Sequence, residues 1–179
     1  DKYGPEREVK MAHRLDQDTS GLLIATFGAF SFRMMQSLFA TRQVKKTYVA
    51  VLEGDYTALD ISDRGSISLP LSPDLLDRPR QRIDENRGKE SITDYEFSGV
   101  SEGRSGIIFH PQTGRTHQLR VHAASEKGLG MPIIGDRLYG SNMAKNSDRL
   151  LLHAWKIEFT FPPDGFHYSF EAPVPFDLP

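Results

Sequence analysis

Arg14 and Asp16 stand two apart in His13-Arg14-Leu15-Asp16, and Gln17-Asp18-Thr19-Ser20-Gly21 leads from them into the apolar run Leu22-Leu23-Ile24-Ala25-Thr26. An aspartate in such a turn-prone stretch ordinarily caps a turn. The same carboxylate, ionised and held by a cation, is a nucleophile or a base. An arginine supplies that charge together with a two-pronged hydrogen bond. Arg14 and Arg120 are the candidates, and spacing alone does not choose between them. Tyr48, in Lys45-Lys46-Thr47-Tyr48-Val49-Ala50, would ordinarily be a core or cross-strand residue. Its phenol also offers an aromatic face and an oxygen able to move a proton.

A second stretch, Pro111-Gln112-Thr113-Gly114-Arg115-Thr116-His117-Gln118-Leu119-Arg120-Val121-His122, lies at a predicted strand-to-helix junction. Such a turn exposes backbone N–H groups and favours anions. Gly114 permits a tight turn or a close approach, and Thr116 is the expected N-cap. His110, His117 and His122 are seven and five residues apart, which does not place them on one helical face, so no metal site is expected.

These residues must be positioned by one domain of 179 residues, 38% hydrophobic and 26% charged. No run is long enough to span a membrane as a helix, and no signal-peptide pattern opens the chain. Zero cysteines exclude disulfides, thiolate metal sites and cysteine nucleophiles, and fit a reducing, cytoplasmic setting. The chain starts at Asp1, as a piece of a longer protein would. Net charge is −2, so any nucleic-acid affinity must come from local basic groups. Three qualify: Arg42 with Lys45 and Lys46; Arg78, Arg80, Arg82, Arg87 and Lys89; and Arg115 and Arg120 with His117 and His122.

Periodicity predicts a buried strand over Gly21–Phe27, a helix over Phe30–Thr41 and strands over Lys46–Leu52 and Asp60–Leu71. Residues 72–90 read as a basic exposed loop or hairpin tip. Strands follow at Ser91–Val100 and Ser105–His110, then a helix at Thr116–Glu126, an irregular Lys127–Gly140, and strands at Leu150–Phe161 and His167–Glu171. Many strands with short turns and two helices imply an α+β domain with a mainly antiparallel sheet.

The His-Arg-Leu-Asp and Arg-Thr-His-Gln-Leu-Arg-Val-His stretches together resemble the RluA-type pseudouridine synthases, which isomerise uridine within folded RNA. Lys46-Thr47-Tyr48, Pro132–Gly140 and Leu150–Ala154 resemble further segments of that family, so the likeness runs from about residue 11 to 172. It implies a mainly antiparallel mixed sheet bent around a central cleft with a few packed helices, and no metal or cofactor. It implies that Asp16 is the catalytic residue, that Arg120 forms its salt bridge, and that Tyr48 stacks on the base and helps remove the C5 proton. Leu119 would belong to the apolar lining of the substrate pocket. A stacked uridine cannot present its glycosidic bond, so it must be flipped out. The resemblance gives Arg14 the space the base leaves, where a planar guanidinium can stack and hydrogen-bond.

Lys45, Lys46, Arg78 and Arg80 are then candidate RNA contacts, and Arg115 and His117 are candidate RNA or structural contacts. The arginine loop Asp77–Arg82, stiffened by Pro79, looks like the branch that modifies large-subunit ribosomal RNA, transfer RNA or both. The expected partner is an RNA stem-loop, met by a monomer away from any membrane. The family reaction breaks N1–C1′ and forms C5–C1′. Whether the aspartate attacks the sugar carbon, adds to the base or removes a sugar proton stays open. Two features depart from the pattern: some fifty residues and their strands before the motif are lacking, and Met131 stands where histidine is common. The competing readings are a non-catalytic RNA-binding module or inactive fragment, and a carboxylate hydrolase, which would need a second acid at a set distance.

Overall fold

The computed structural model describes residues 8–141 and 147–179. Strand β4 (Lys45–Glu53) is its centre: Ala50 and Leu52 pack into one core while Val49 and Val51 are buried on the other face. Two-sided burial needs a nearly continuous apolar run, which Val49–Leu52 supplies. Strands β8 (Ile92–Ser101) and β9 (Arg104–Pro111) form a hairpin. Its two loop residues, Glu102 and Gly103, both have positive φ (53° and 68°), the twist-matched turn for such a connection.

With β5 (Arg64–Ser68), β10 (Leu152–Thr160) and β11 (His167–Glu171) these strands run in the order β11-β10-β4-β9-β8-β5, every neighbour antiparallel. Strand β2 (Ser20–Gly21) joins β10 in parallel and makes the sheet mixed. The register slips between Ala154 and Lys156 and between Phe97 and Gly99, bulges of the kind that sharpen a sheet's twist. Two short ribbons complete the strands: β1 (Val9–Met11) with β3 (Ala25–Phe27), and β6 (Leu71–Pro73) with β7 (Gln81–Ile83).

Two cores result. Helix α1 (Gly28–Ala40) buries Met35 and Leu38 against Ala12, Val44, Ile157 and Phe159. Helix α2 (Gln118–Ala124) places Leu119 and Ala123 in a larger core with Phe97, Ile107, Phe109 and Ile133. The domain is α+β, as expected. The expected buried strand at Gly21–Phe27 is instead split: β2 leaves for β10, and β3 pairs with β1. Between them the Leu22 N–H bonds to Ala154 O and the Ile24 N–H to a side chain, so no ladder forms and Leu23 is 44% exposed. The expected strand at Asp60–Leu71 is likewise interrupted, and residues 72–90 contain the β6–β7 hairpin.

His122, fully buried in α2, sets an acid limit on this fold. Its Nδ1 faces the Thr93 hydroxyl at 3.0 Å, while Nε2 lacks a hydrogen bond of good geometry. Burial pushes its pKa down to about 4, opposed weakly by the nearby Leu69 backbone. The folded state therefore holds the imidazole neutral. Its contribution to stability is complete above the unfolded pKa of 6.5 and is lost as pH falls from there towards 4. The loss expected is on the order of 3 kcal/mol. Urea midpoints between pH 7 and 4, compared with His122→Leu, check it. A parent and variant that lose stability equally would remove His122 as the cause.

Candidate active site

The loop bearing Arg14 and Asp16 is pinned at both ends. Before it, His13 Nε2 accepts the Ile24 N–H at 3.0 Å, and the Ala12 N–H bonds to Ile24 O at 2.9 Å. After it, the Thr19 N–H closes a turn onto Asp16 O at 3.0 Å. The His13 ring lies 4.9 Å from that of Phe39. Burial, then the charge of Lys46, lowers the His13 pKa, which keeps Nε2 available as an acceptor. Gly21 ends the segment with a left-handed φ of 113°; an added Cβ would sit 2.2 Å from Ala154 O, so only glycine lets β2 meet β10 there.

The loop opens onto a cleft of about 520 Å³ lined by Arg14, Asp16, Lys46, Tyr48, Arg115 and Leu119, among others. That volume suits a small organic ligand such as a single nucleoside. Lys46 and Tyr48 reach it from the same face of β4, and Lys45, one residue out of phase, is exposed and does not line it. Asp16 is half-buried, Arg14 is exposed, and Leu119 gives the cleft an apolar wall. Burial, and then Asp16, push the Tyr48 phenol up to about 12, so it enters neutral. Burial also lowers the Lys46 pKa, and its Nζ lies 3.4 Å from Thr113 O.

The opposite wall is organised by Gln118, a residue the sequence reading passed over. Its Oε1 accepts the Thr113 hydroxyl at 2.7 Å and the Arg115 N–H at 2.9 Å. Its Nε2 donates to Ile92 O and to the Thr93 hydroxyl oxygen, both at 2.9 Å. One side-chain amide thus uses all four of its hydrogen bonds to fix residues 113–115 against β8. The only sequence signal was a glutamine in the first turn of a helix. Gly114 takes no left-handed φ, and an added Cβ would meet only Lys46 Nζ at 3.7 Å, so no tight turn requires it. The N-cap of α2 is His117, in the left-handed region (φ 54°), rather than Thr116.

Arg120 is placed differently from the expectation. Its Nε and Nη2 donate to Asp136 Oδ2 and Oδ1 at 2.8 and 2.7 Å, with the two side chains 3% and 0% exposed. The ion pair to Asp16 implied by the family resemblance is not formed. A fully buried carboxylate needs a cation more than a half-buried one does, and Asp136 takes both prongs. Burial would lower the Arg120 pKa, but the hydrogen bonds and charge of Asp136, and after them the charge of Asp16, raise it. Burial would raise the Asp136 pKa, but Arg120 and the N–H groups of Tyr139 and Leu138 hold it below the ordinary carboxylate value.

His117, expected as an RNA or a structural contact, makes a structural one: it is 8% exposed, and its Nδ1 lies 2.7 Å from the Tyr139 hydroxyl. Burial, Arg120 and Arg14 lower its pKa against the opposing pull of Asp16 and Asp136. Arg115 is exposed at the cleft rim, its Nε bonded to Glu90 O at 2.9 Å, beside the 2.9 Å Arg42–Glu90 ion pair. Arg78 is exposed and Arg80 half-buried, both outside the cleft on the β6–β7 hairpin, where Arg80 pairs with Asp77 at 3.2 Å. Among the described residues no group of histidines and acids is arranged to hold a metal.

The chain matches the RNA pseudouridylate synthase family over residues 1–125. It is 42% identical over 174 residues to an uncharacterised RNA pseudouridine synthase of Zymomonas mobilis, covering 97% of this chain and 76% of that one. It is 36% identical over 171 residues to the dual-specificity RNA pseudouridine synthase RluA of Escherichia coli, covering 94% and 75%. The human RNA pseudouridylate synthase domain-containing protein 1 has the same fold, with TM-score 0.78 at 29% identity, over 94% of this chain and 70% of that one. A cleft that presents a carboxylate, a phenol and an apolar wall to one nucleoside, in a chain with these relatives, has one reading: the chain belongs to the RNA pseudouridylate synthase family as an RluA-type domain and isomerises uridine to pseudouridine in RNA.

Proposed function

We propose that Asp16 is the reacting carboxylate and that the RNA is a stem-loop of transfer RNA, large-subunit ribosomal RNA or both. The carrying observation is that Asp16, Tyr48 and Leu119 face one cleft sized for a single nucleoside. A uridine reaches it only by leaving its stack, at a cost of about a few kcal/mol. Leu119 packs the base, Tyr48 stacks on it and moves the C5 proton, and exposed Arg14 fills the gap left in the helix. Arg120, next to Leu119 in α2, adds positive charge behind the cleft wall. Lys46 and Arg115 meet phosphate at the rim, and Arg78, Arg80 and Lys45 extend the basic surface beyond it. The dual-specificity name of the Escherichia coli relative supports more than one RNA target. A hydrolase is disfavoured because, of the two further acids it could use, Asp136 is already paired with Arg120 and Asp18 is exposed and does not line the cleft.

Tritium release from uridine C5, measured on transfer RNA and ribosomal RNA stem-loops, tests the substrate assignment. Release is expected from stem-loops and not from the same sequence held in a continuous duplex. Equal release from both would overturn stem-loop selection, and release from neither RNA class would overturn the class itself. Arg78→Ala with Arg80→Ala is expected to weaken binding and to lower the log–log salt slope by about two.

A further inference from the structure

The β6–β7 hairpin ends in an apolar tip. Leu75 and Leu76 stand there 71% and 97% exposed, and Leu76 is the most exposed large apolar side chain among the described residues. Neither belongs to either core. Turns are ordinarily built from polar residues, so two adjacent leucines in one leave apolar surface in water with no local gain.

The tip is not a loose loop. Asp74 Oδ1 accepts the N–H groups of Leu76 and Asp77 at 3.0 and 3.3 Å. The Asp74 N–H bonds to Arg80 O and the Arg80 N–H to Asp77 O, both at 2.9 Å. At the root of the hairpin Leu71 is buried opposite Ile83, which packs on the larger core. The Gln81 N–H bonds to the Tyr139 hydroxyl at 2.7 Å, and that hydroxyl meets Nδ1 of His117, the N-cap of α2, at 2.7 Å. Thr116, Gln118 and Leu119, on either side of His117, line the cleft. The hairpin is thus fastened to the cleft wall, while its two leucines lie outside the cleft.

Cations accompany the leucines. Arg78 is exposed and makes no ion pair among the described residues, whereas Arg80 pairs with Asp77 and Arg82 with Asp84, at 3.2 and 3.3 Å. An apolar tip beside an unpaired arginine fits a polyanion that also offers apolar faces. A continuous RNA duplex hides its base faces, but a stem-loop leaves some unstacked. Leucine is among the side chains that wedge against bases. We infer that Leu75 and Leu76 form an apolar wedge that packs on an unstacked base of the RNA loop, while Arg78 neutralises a phosphate beside it. This rests on the stem-loop substrate proposed above.

Leu75→Ser with Leu76→Ser tests it, in filter binding over a range of salt, on stem-loop RNA and on the same sequence held in a continuous duplex. Affinity for the stem-loop is expected to fall by about tenfold, the scale of one leucine's lost burial. Affinity for the duplex is expected to stay within about twofold. The salt slope should match the parent's, because no charge has been removed, whereas loss of Arg78 and Arg80 lowers it. Leu75→Met with Leu76→Met keeps the apolar surface and is expected to restore affinity. If the double serine variant does not fold, Leu76→Ser alone serves, with a loss of about threefold expected. A folded variant with parent affinity for the stem-loop overturns the inference, and lost binding to phosphatidylserine vesicles in that variant would assign the tip to a membrane surface. An equal loss on both RNAs, or a loss that methionine does not restore, overturns it as well. Failure of the stem-loop reading is seen in the parent alone, which would then bind the two RNAs equally.

Discussion

Asp16→Asn is expected to reduce pseudouridine formation by about 10³-fold or more while RNA affinity stays within about twofold. The first number is the scale for losing a group that does nucleophilic or proton-transfer work. The second follows because affinity for RNA comes chiefly from cations on phosphates, and the amide keeps the size of the acid. The backbone of the loop should survive, since its anchors are the His13–Ile24 and Thr19–Asp16 contacts, and Asp16 enters them only through its main-chain oxygen. C5 tritium release and filter binding on the same RNA measure both arms. Turnover near the parent rate would take Asp16 out of the chemistry. Joint loss of binding and turnover would make it a folding residue.

Arg120→Ala is expected to have the largest effect on stability. It leaves Asp136 buried, ionised and facing two N–H groups alone, a situation that costs about 3–5 kcal/mol. For a domain of this size the midpoint should fall by roughly 10 °C. Replacing both partners, with Arg120→Met and Asp136→Leu, should recover much of that stability and none of the activity, because the penalty lies in the orphaned charge. Calorimetry on the three proteins decides it. A loss below about 1 kcal/mol for Arg120→Ala would mean that water or another cation reaches Asp136.

The strands were legible because they obey local rules. Val49–Leu52 is apolar throughout, Glu102-Gly103 is a turn, and Phe161 to Phe166 brackets a Pro-Pro-Asp-Gly turn. The Gly21–Phe27 error has the same origin. A run of apolar residues predicts burial, but whether its N–H groups find a ladder depends on Ala154 and His13, far away or outside the pattern. At the site, Asp16, Tyr48 and Leu119 were readable as motifs and meet in one cleft. The Arg120–Asp136 pairing was not readable, because the two stand sixteen positions apart, across the end of α2 and the irregular chain after it, and only the fold chooses between competing carboxylates. Gln118 was equally silent, since a glutamine's four hydrogen bonds depend on partners from β8 and the 113–115 turn.

The cleft lies where two cores of unequal size meet. Tyr48 and Leu119 belong to the larger, whereas the Asp16 loop is fastened to the smaller through Ala12 and His13. Beside that smaller core an apolar groove stays open, with Leu23, Phe27 and Phe170 between 44% and 48% exposed. Segments with less buried apolar surface open at lower free energy. On warming, activity is therefore expected to fade reversibly before the sheet melts, as the Asp16 loop loosens from Tyr48; an activity–temperature curve that coincides with the calorimetric melt would refute this.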